Sequence, residues 1–190
     1  MQSDAPKWTE HVLAQTGATA GAKQADQDAY KQLSTLVAKG TAIVSAVHRG
    51  WDNAATVTDY LSISYDPPTM VVSLYGLSRM AEALEGADRW ALSILSSEQR
   101  AVADVLSEPG RPLDSLLSQI PHFRRADAAP PLIAGALGWF ELRTIAMHEV
   151  ATHILFVGEV VAMGRTEPTA QESAVRSPLV RFQSGYLRAG

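Results

Sequence analysis

Apolar and polar positions along the chain predict short elements in quick succession. Tyr30, Leu33, Leu36 and Val37 recur at three- and four-residue spacing, predicting a helix from Asp28 to Lys39 with Gly40 as its stop. Thr41 to Val47 is a β-branched run of strand length. The turn residues His48 to Asn53 separate it from a second strand, Thr56 to Tyr65, as in a hairpin. Asp66-Pro67-Pro68 ends that strand, since proline cannot donate to a ladder. Thr69 to Tyr75 is a third strand, and Ser78 caps a short helix with Met80, Ala83 and Leu84 on its inner face. Arg89 to Leu95 is a fourth strand, and Ser96 or Ser97 caps a helix through Leu106. The proline-punctuated stretch from Glu108 to Pro131 reads as irregular, with a short helix near Leu113–Gln119. Gly135 to Met147, Thr152 to Met163 and Pro178 to Phe182 complete the strands. Thr152–Met163 is apolar at both parities, so a core should bury one face and a helix or second subunit the other. Many strands with few short helices between them predict a mainly β protein, an antiparallel sheet closed into a barrel with peripheral α-helices. Residues 1–27 are polar and rich in Ala, Gly and Thr, and read as a flexible or loosely helical extension to a domain of residues 28–190.

Composition narrows the chemistry. Of 190 residues, 46% are hydrophobic and 19% charged, a globular balance large enough to bury a core without staples. The formal charge of −4 lacks the basic excess that nucleic-acid binding uses. The absence of cysteine excludes disulfides, thiolate metal sites and cysteine nucleophiles. The longest uncharged run, Ala128 to Phe140, is interrupted by Pro130, Pro131, Gly135 and Gly138 and is too short to span a bilayer. Met1 to Trp8 lacks the apolar stretch of a secretory leader. A cytoplasmic protein with neither nucleic-acid nor membrane partners is the expectation. His148 and His153 have no HExxH arrangement or thiolate partner around them, so no metal is expected. No GxSxG elbow, GxGxxG turn or Walker A loop occurs either.

Simple alternation along Thr56–Tyr65 puts Thr56, Thr58, Tyr60, Ser62 and Ser64 on one face, all hydroxyl-bearing. Hydroxyls donate and accept, so such a face suits a ligand rich in carbonyls, ring nitrogens, ribityl hydroxyls or phosphate. An ordinary solvent-facing strand surface fits the same pattern.

Ala54 to Pro68 resembles the signature strand of the flavin reductase-like family, the FMN-binding split barrels, with Thr56, Val57, Tyr60, Ser62, Ser64, Asp66, Pro67 and Pro68 in register. Four further stretches resemble the family in order: Met70–Leu74 with Ser78-Arg79, Trp90–Ser96 with Gln99, Pro131–Leu142, and His153–Val160. Pro178–Phe182 with Tyr186 resembles its closing strand. The resemblance covers roughly residues 28–188 and implies a six-stranded split barrel, working as a homodimer with flavin at the subunit boundary. It also implies an NAD(P)H:flavin oxidoreductase that reduces FMN or FAD for a partner monooxygenase. Thr56, Val57, Thr58, Asp59, Ser62 and Ile63 would then line the isoalloxazine and ribityl chain, and Ser78 and Arg79 would meet the phosphate. His153 would be the catalytic residue, lying near the flavin and nicotinamide without acting as acid or base. Glu141 and Glu159 match strand acids of the pattern, and pairing with an arginine such as Arg143 is their expected role.

The chain departs from the family pattern where Thr58 replaces an asparagine and Asp59 a small residue. A carboxylate facing the flavin would oppose negative charge on the reduced ring and lower its potential. These two departures keep a second reading in view, a non-catalytic flavin- or tetrapyrrole-binding carrier barrel.

Overall fold

The computed structural model describes residues 24–165 and 176–188. The chain divides into two units, Met1–Val37 and Ala38–Gly190. In the first, helix α1 spans Gln24–Ser34. It starts earlier and stops earlier than the periodicity predicts. Ser34 and Thr35 hydroxyls donate to the carbonyls of Lys31 and Gln32, and the Thr35, Leu36 and Val37 amides turn back on the three-residue spacing that tightens helix ends. The remainder of the expected N-terminal extension, residues 1–23, lies outside the described residues.

The second unit contains β1 (Lys39–Gly40), β2 (Ala42–His48), β3 (Trp51–Val57), β4 (Tyr60–Tyr65), β5 (Pro68–Tyr75), α2 (Arg79–Gly86) and β6 (Arg89–Ile94). A 3-10 turn (Ser97–Gln99) leads into α3 (Arg100–Ser107), followed by β7 (His122–Phe123) and β8 (Leu132–Ile133). The long strands β9 (Gly138–Val150) and β10 (His153–Arg165) and the short β11 (Leu179–Phe182) and β12 (Gly185–Arg188) complete it. Gly40 is therefore not a helix stop: Lys39 and Gly40 pair with Arg181 and Val180 of β11. The segment near Leu113–Gln119 forms consecutive turns with three-residue spacing, such as Leu116 N–H to the Leu113 carbonyl, instead of an α-helix.

The principal sheet has seven strands in the order β3-β2-β6-β9-β10-β5-β4. The seventh strand, one more than expected, comes from splitting the Thr56–Tyr65 strand in two. Its halves occupy opposite edges of the sheet and are joined only by Thr58 and Asp59. Three peptide steps span at most about 11 Å, so the two edges must curl toward each other, and the sheet becomes a barrel. The edges do not pair with each other, and this leaves a split. The uniform hydroxyl face fails for the same reason: the crossover interrupts the alternation, and a bulge between Ser62 and Ser64 shifts it again.

The β2–β3 hairpin is tighter than the sequence suggests. Arg49 and Gly50 form the whole turn, with φ of 52° and 79°, the backbone twist that suits a two-residue hairpin loop. Strand β2 is buried on both faces. Ala42, Val44 and Ala46 point into the barrel with Trp90, Leu92, Leu142, Phe156 and helix α2. Ile43 points outward into a second core with Leu95, Leu106, Leu117, Ile133 and Leu179. Such two-sided burial produces the continuous apolar run. On strand β10 Phe156 is fully buried in the barrel core, while Val161 and Met163 further along are 39% and 64% exposed among the described residues.

Candidate functional site

The barrel split is lined by three hollows that share walls. At one end Asn53, Arg79, Leu106, Glu108 and Gly110 surround about 510 Å³. The middle, about 260 Å³, is formed by Thr56, Val57, Thr58, Ser73, Tyr75, Ser78 and Met80. At the far end Lys39, Asp59, Tyr60, Leu61, Val71 and Leu155 bound about 340 Å³. Thr56, Ser78 and Met80 belong to both the first and second, and Thr58, Asp59 and Ser73 to both the second and third. Together they make one groove with Arg79 at one end, the Lys39–Asp59 ion pair at the other and hydroxyls between.

The Arg79 end is built by the start of α2. Ser78 has extended backbone and its Oγ accepts the Ala81 N–H at 3.1 Å, while its carbonyl accepts the Glu82 N–H. The amides of Arg79 and Met80 lie in the first turn, where no intrahelical acceptor exists. Two amides, the helix dipole and the Ser78 hydroxyl proton make this end fit an anion. The Arg79 guanidinium donates one bond, from Nη1 to the Arg111 carbonyl at 2.7 Å, and this fixes it beside the Glu108–Gly110 wall with its other N–H groups available. In the middle, Thr56 donates to the Ala103 carbonyl at 2.7 Å, which ties the groove floor to α3.

The crossover itself is held from both sides. The Asp59 carbonyl accepts the Ser73 N–H at 2.8 Å, and its carboxylate meets Lys39 Nζ at 2.5 Å. The Tyr60 ring packs against the barrel core, and a Cβ on Gly40 would stand 2.8 Å from the Tyr60 hydroxyl, so a larger residue there would require the phenol to shift. Burial pushes the Tyr60 pKa up to about 12, so the phenol stays neutral.

Of the residues expected at the site, Thr56, Val57, Thr58, Asp59, Ser78 and Arg79 are gathered in the groove. Ser62 and Ile63 lie further along β4 and are exposed. His153 is exposed too, bonded through Nδ1 to Thr152 Oγ1 at 3.0 Å. Its ring meets that of Tyr75 edge-on at 5.9 Å, which places it one side chain behind the groove wall. Lys39, Ser73, Tyr75, Glu108 and Leu155 are groove residues that sequence reasoning missed. Only the two-sided apolar pattern around Leu155 carried any signal.

A larger hollow, about 630 Å³, lies away from the split and is lined by Asp88, Arg89, Arg125 and Glu141. Its charges satisfy one another. The buried Glu141 carboxylate receives Arg89 on one oxygen at 3.1 Å and Arg125 on the other at 3.2 Å, clamping the segment around Arg125 to β9. Glu159 pairs with Arg143 at 2.7 Å, so both strand acids are held by arginines, as expected. The groove along the split is the better candidate because Arg79 and the hydroxyls of Thr58, Ser73 and Ser78 line it.

The fold is a split β-barrel, and the groove along its split combines an anion-suited end with hydroxyls along its length. Residues 33–190 match the flavin reductase like domain, and the chain belongs to that family. It is 34% identical over 162 residues to the NADH-dependent flavin reductase StyB of Pseudomonas fluorescens, covering 85% of this chain and 89% of that protein. The NADH-dependent FMN reductase AsuE2 of Streptomyces nodosus subsp. asukaensis is 28% identical over 184 residues, covering 93% and 95%. Among solved structures, the styrene monooxygenase flavin reductase SMOB of Pseudomonas putida S12 superimposes with a TM-score of 0.70 at 30% identity, over 84% of this chain and 96% of that one.

Proposed function

We propose that this protein reduces FMN or FAD with NADH and delivers the reduced flavin to a flavin-dependent monooxygenase. The observation that carries the reading is the groove: an anion site at the α2 N-terminus, continuous with a hydroxyl-lined cleft at the barrel split. Its donor set fits flavin. Arg79, Ser78 and the first amides of α2 would hold the terminal phosphate, Thr56, Thr58 and Ser73 would bond the polar edges, and Tyr75 and Met80 would flank the apolar surface. Bound flavin supplies the hydride acceptor and NADH the hydride. The protein's task is to hold the two rings in contact and to shield them from water. His153 contributes position through Tyr75, with no proton transfer required of it. A cytoplasmic location follows from the NADH supply. Among the described residues, no helix is long and apolar enough to cross a membrane.

This reading is preferred over the carrier because named relatives are NADH-dependent reductases. Anaerobic NADH oxidation by the purified protein should be saturable in added FMN or FAD and negligible without it. A tightly held yellow flavin that NADH fails to bleach would overturn the reductase and restore the carrier.

Two copies of the chain complete the barrel's uncovered side. Leu61, Ile63, Ile145, Met147, Val161 and Met163 on β4, β9 and β10 are between 39% and 64% exposed, apolar surface that the described residues leave wet. Leu61 also lines the Lys39 end of the groove, so the partner would sit at the edge of the cleft. Light scattering at micromolar concentration should give a dimer mass, and Met163→Glu should shift it toward monomer. A monomeric wild-type protein would overturn this assembly.

A further inference from the structure

We infer that the Lys39–Asp59 ion pair sets how tightly the groove holds reduced flavin relative to oxidised flavin. The inference rests on the flavin reading above and on the polarity of the groove. With the phosphate at the Arg79 end, the ring system lies toward Thr58 and Lys39. Hydride addition leaves the phosphate charge unchanged, so Arg79 cannot distinguish the two redox forms. The ring does change: oxidised isoalloxazine is neutral, and the reduced ring is an anion at neutral pH. Only charged groups near the ring can respond to this difference. Among the residues lining that end, the charged ones are Lys39 and Asp59.

Their backbones are fixed independently of each other. Lys39 is held by the pairing of β1 with β11, and Asp59 by its carbonyl bond from Ser73. The two side chains meet at 2.5 Å, with Lys39 31% and Asp59 57% exposed. Paired, they present almost no net charge to the ring. Oxidised and reduced flavin are then held with similar strength, as suits a protein that must release its product. The carboxylate thus acts by masking a cation that would otherwise retain the reduced anion. The sign for Asp59 is the one expected from sequence, and the structure adds the cation, Lys39, on which it acts.

The signs of the variants differ. Asp59→Asn leaves Lys39 unmasked, and should tighten reduced FMN about three- to fivefold while leaving oxidised FMN unchanged, the scale of a partly exposed charge interaction. Lys39→Met leaves the carboxylate alone, and should weaken reduced FMN by a similar factor. Lys39→Arg keeps the pair and should keep the wild-type ratio. Both effects should shrink as salt rises. The experiment is anaerobic titration of oxidised and dithionite-reduced FMN into each protein, followed by flavin absorbance and fluorescence. Wild-type ratios in both Asp59→Asn and Lys39→Met, or equal shifts of the two redox forms, would show a merely structural pair and overturn the inference. Failure of the wild-type protein to bind either form would overturn the flavin reading, and this inference with it.

Discussion

Replacing Arg79 with alanine should weaken FMN binding by about 10- to 100-fold and leave riboflavin binding within about twofold. The magnitude is that of one charge-assisted hydrogen bond, about 1.5–3 kcal/mol, since every 1.4 kcal/mol is tenfold in affinity. Riboflavin carries no phosphate, so the guanidinium has nothing to hold in it. Arg79 also donates to the Arg111 carbonyl, and the alanine variant frees that wall of the groove as well. Arg79→Lys separates the two roles. It keeps the charge without the planar fork, and should fall between wild type and alanine for FMN. Fluorescence titration with both flavins decides the matter. Equal losses for FMN and riboflavin would place the phosphate elsewhere.

The largest effect on stability is expected at Trp90. Its side chain is fully buried, its Nε1–H donates to Thr144 Oγ1 at 3.0 Å, and its ring fills the space opposite Gly158. A Cβ on Gly158 would stand 2.7 Å from the ring, so the indole and the glycine are a matched pair across the barrel interior. Trp90→Ala should cost about 3–5 kcal/mol in lost burial and a residual cavity. At about 2–4 °C per kcal/mol for a chain of this size, thermal unfolding should fall by about 6–20 °C. Trp90→Phe refills most of the volume and strands the Thr144 hydroxyl, costing about 1–3 kcal/mol. Calorimetry on the two variants separates packing from the hydrogen bond. Similar melting temperatures for both would mean that the barrel interior repacks, and that Trp90 is not its anchor.

Much of this arrangement is legible in the sequence. The apolar run Thr41–Val47 and the capped helix after Ser78 were correctly placed because local spacing and side-chain chemistry control both. Strand β2 is buried on two faces, and α2 begins where a serine can cap it. The Thr56–Tyr65 segment was misread because nothing in it breaks the alternation. Thr58 and Asp59 are neither glycine nor proline, and the chain leaves the strand there only because closure of the sheet requires a crossover. Lys39 was assigned to a helix for a similar reason. Its strand partner, Arg181, lies at the far end of the chain, and no local window contains it.

The sequence by itself determined the class of fold and the two most recognisable parts of the groove, the Thr56–Asp59 segment and the Ser78-Arg79 helix start. Strand length, turn residues and helix caps are local properties, and those stretches carry them. Only the tertiary structure decided that Thr58 and Asp59 bridge the two edges of the sheet, that Lys39 comes to rest on Asp59, and that His153 stands behind Tyr75. Each of these depends on how a twisted seven-stranded sheet closes, and that closure brings together residues with no neighbouring positions in the chain.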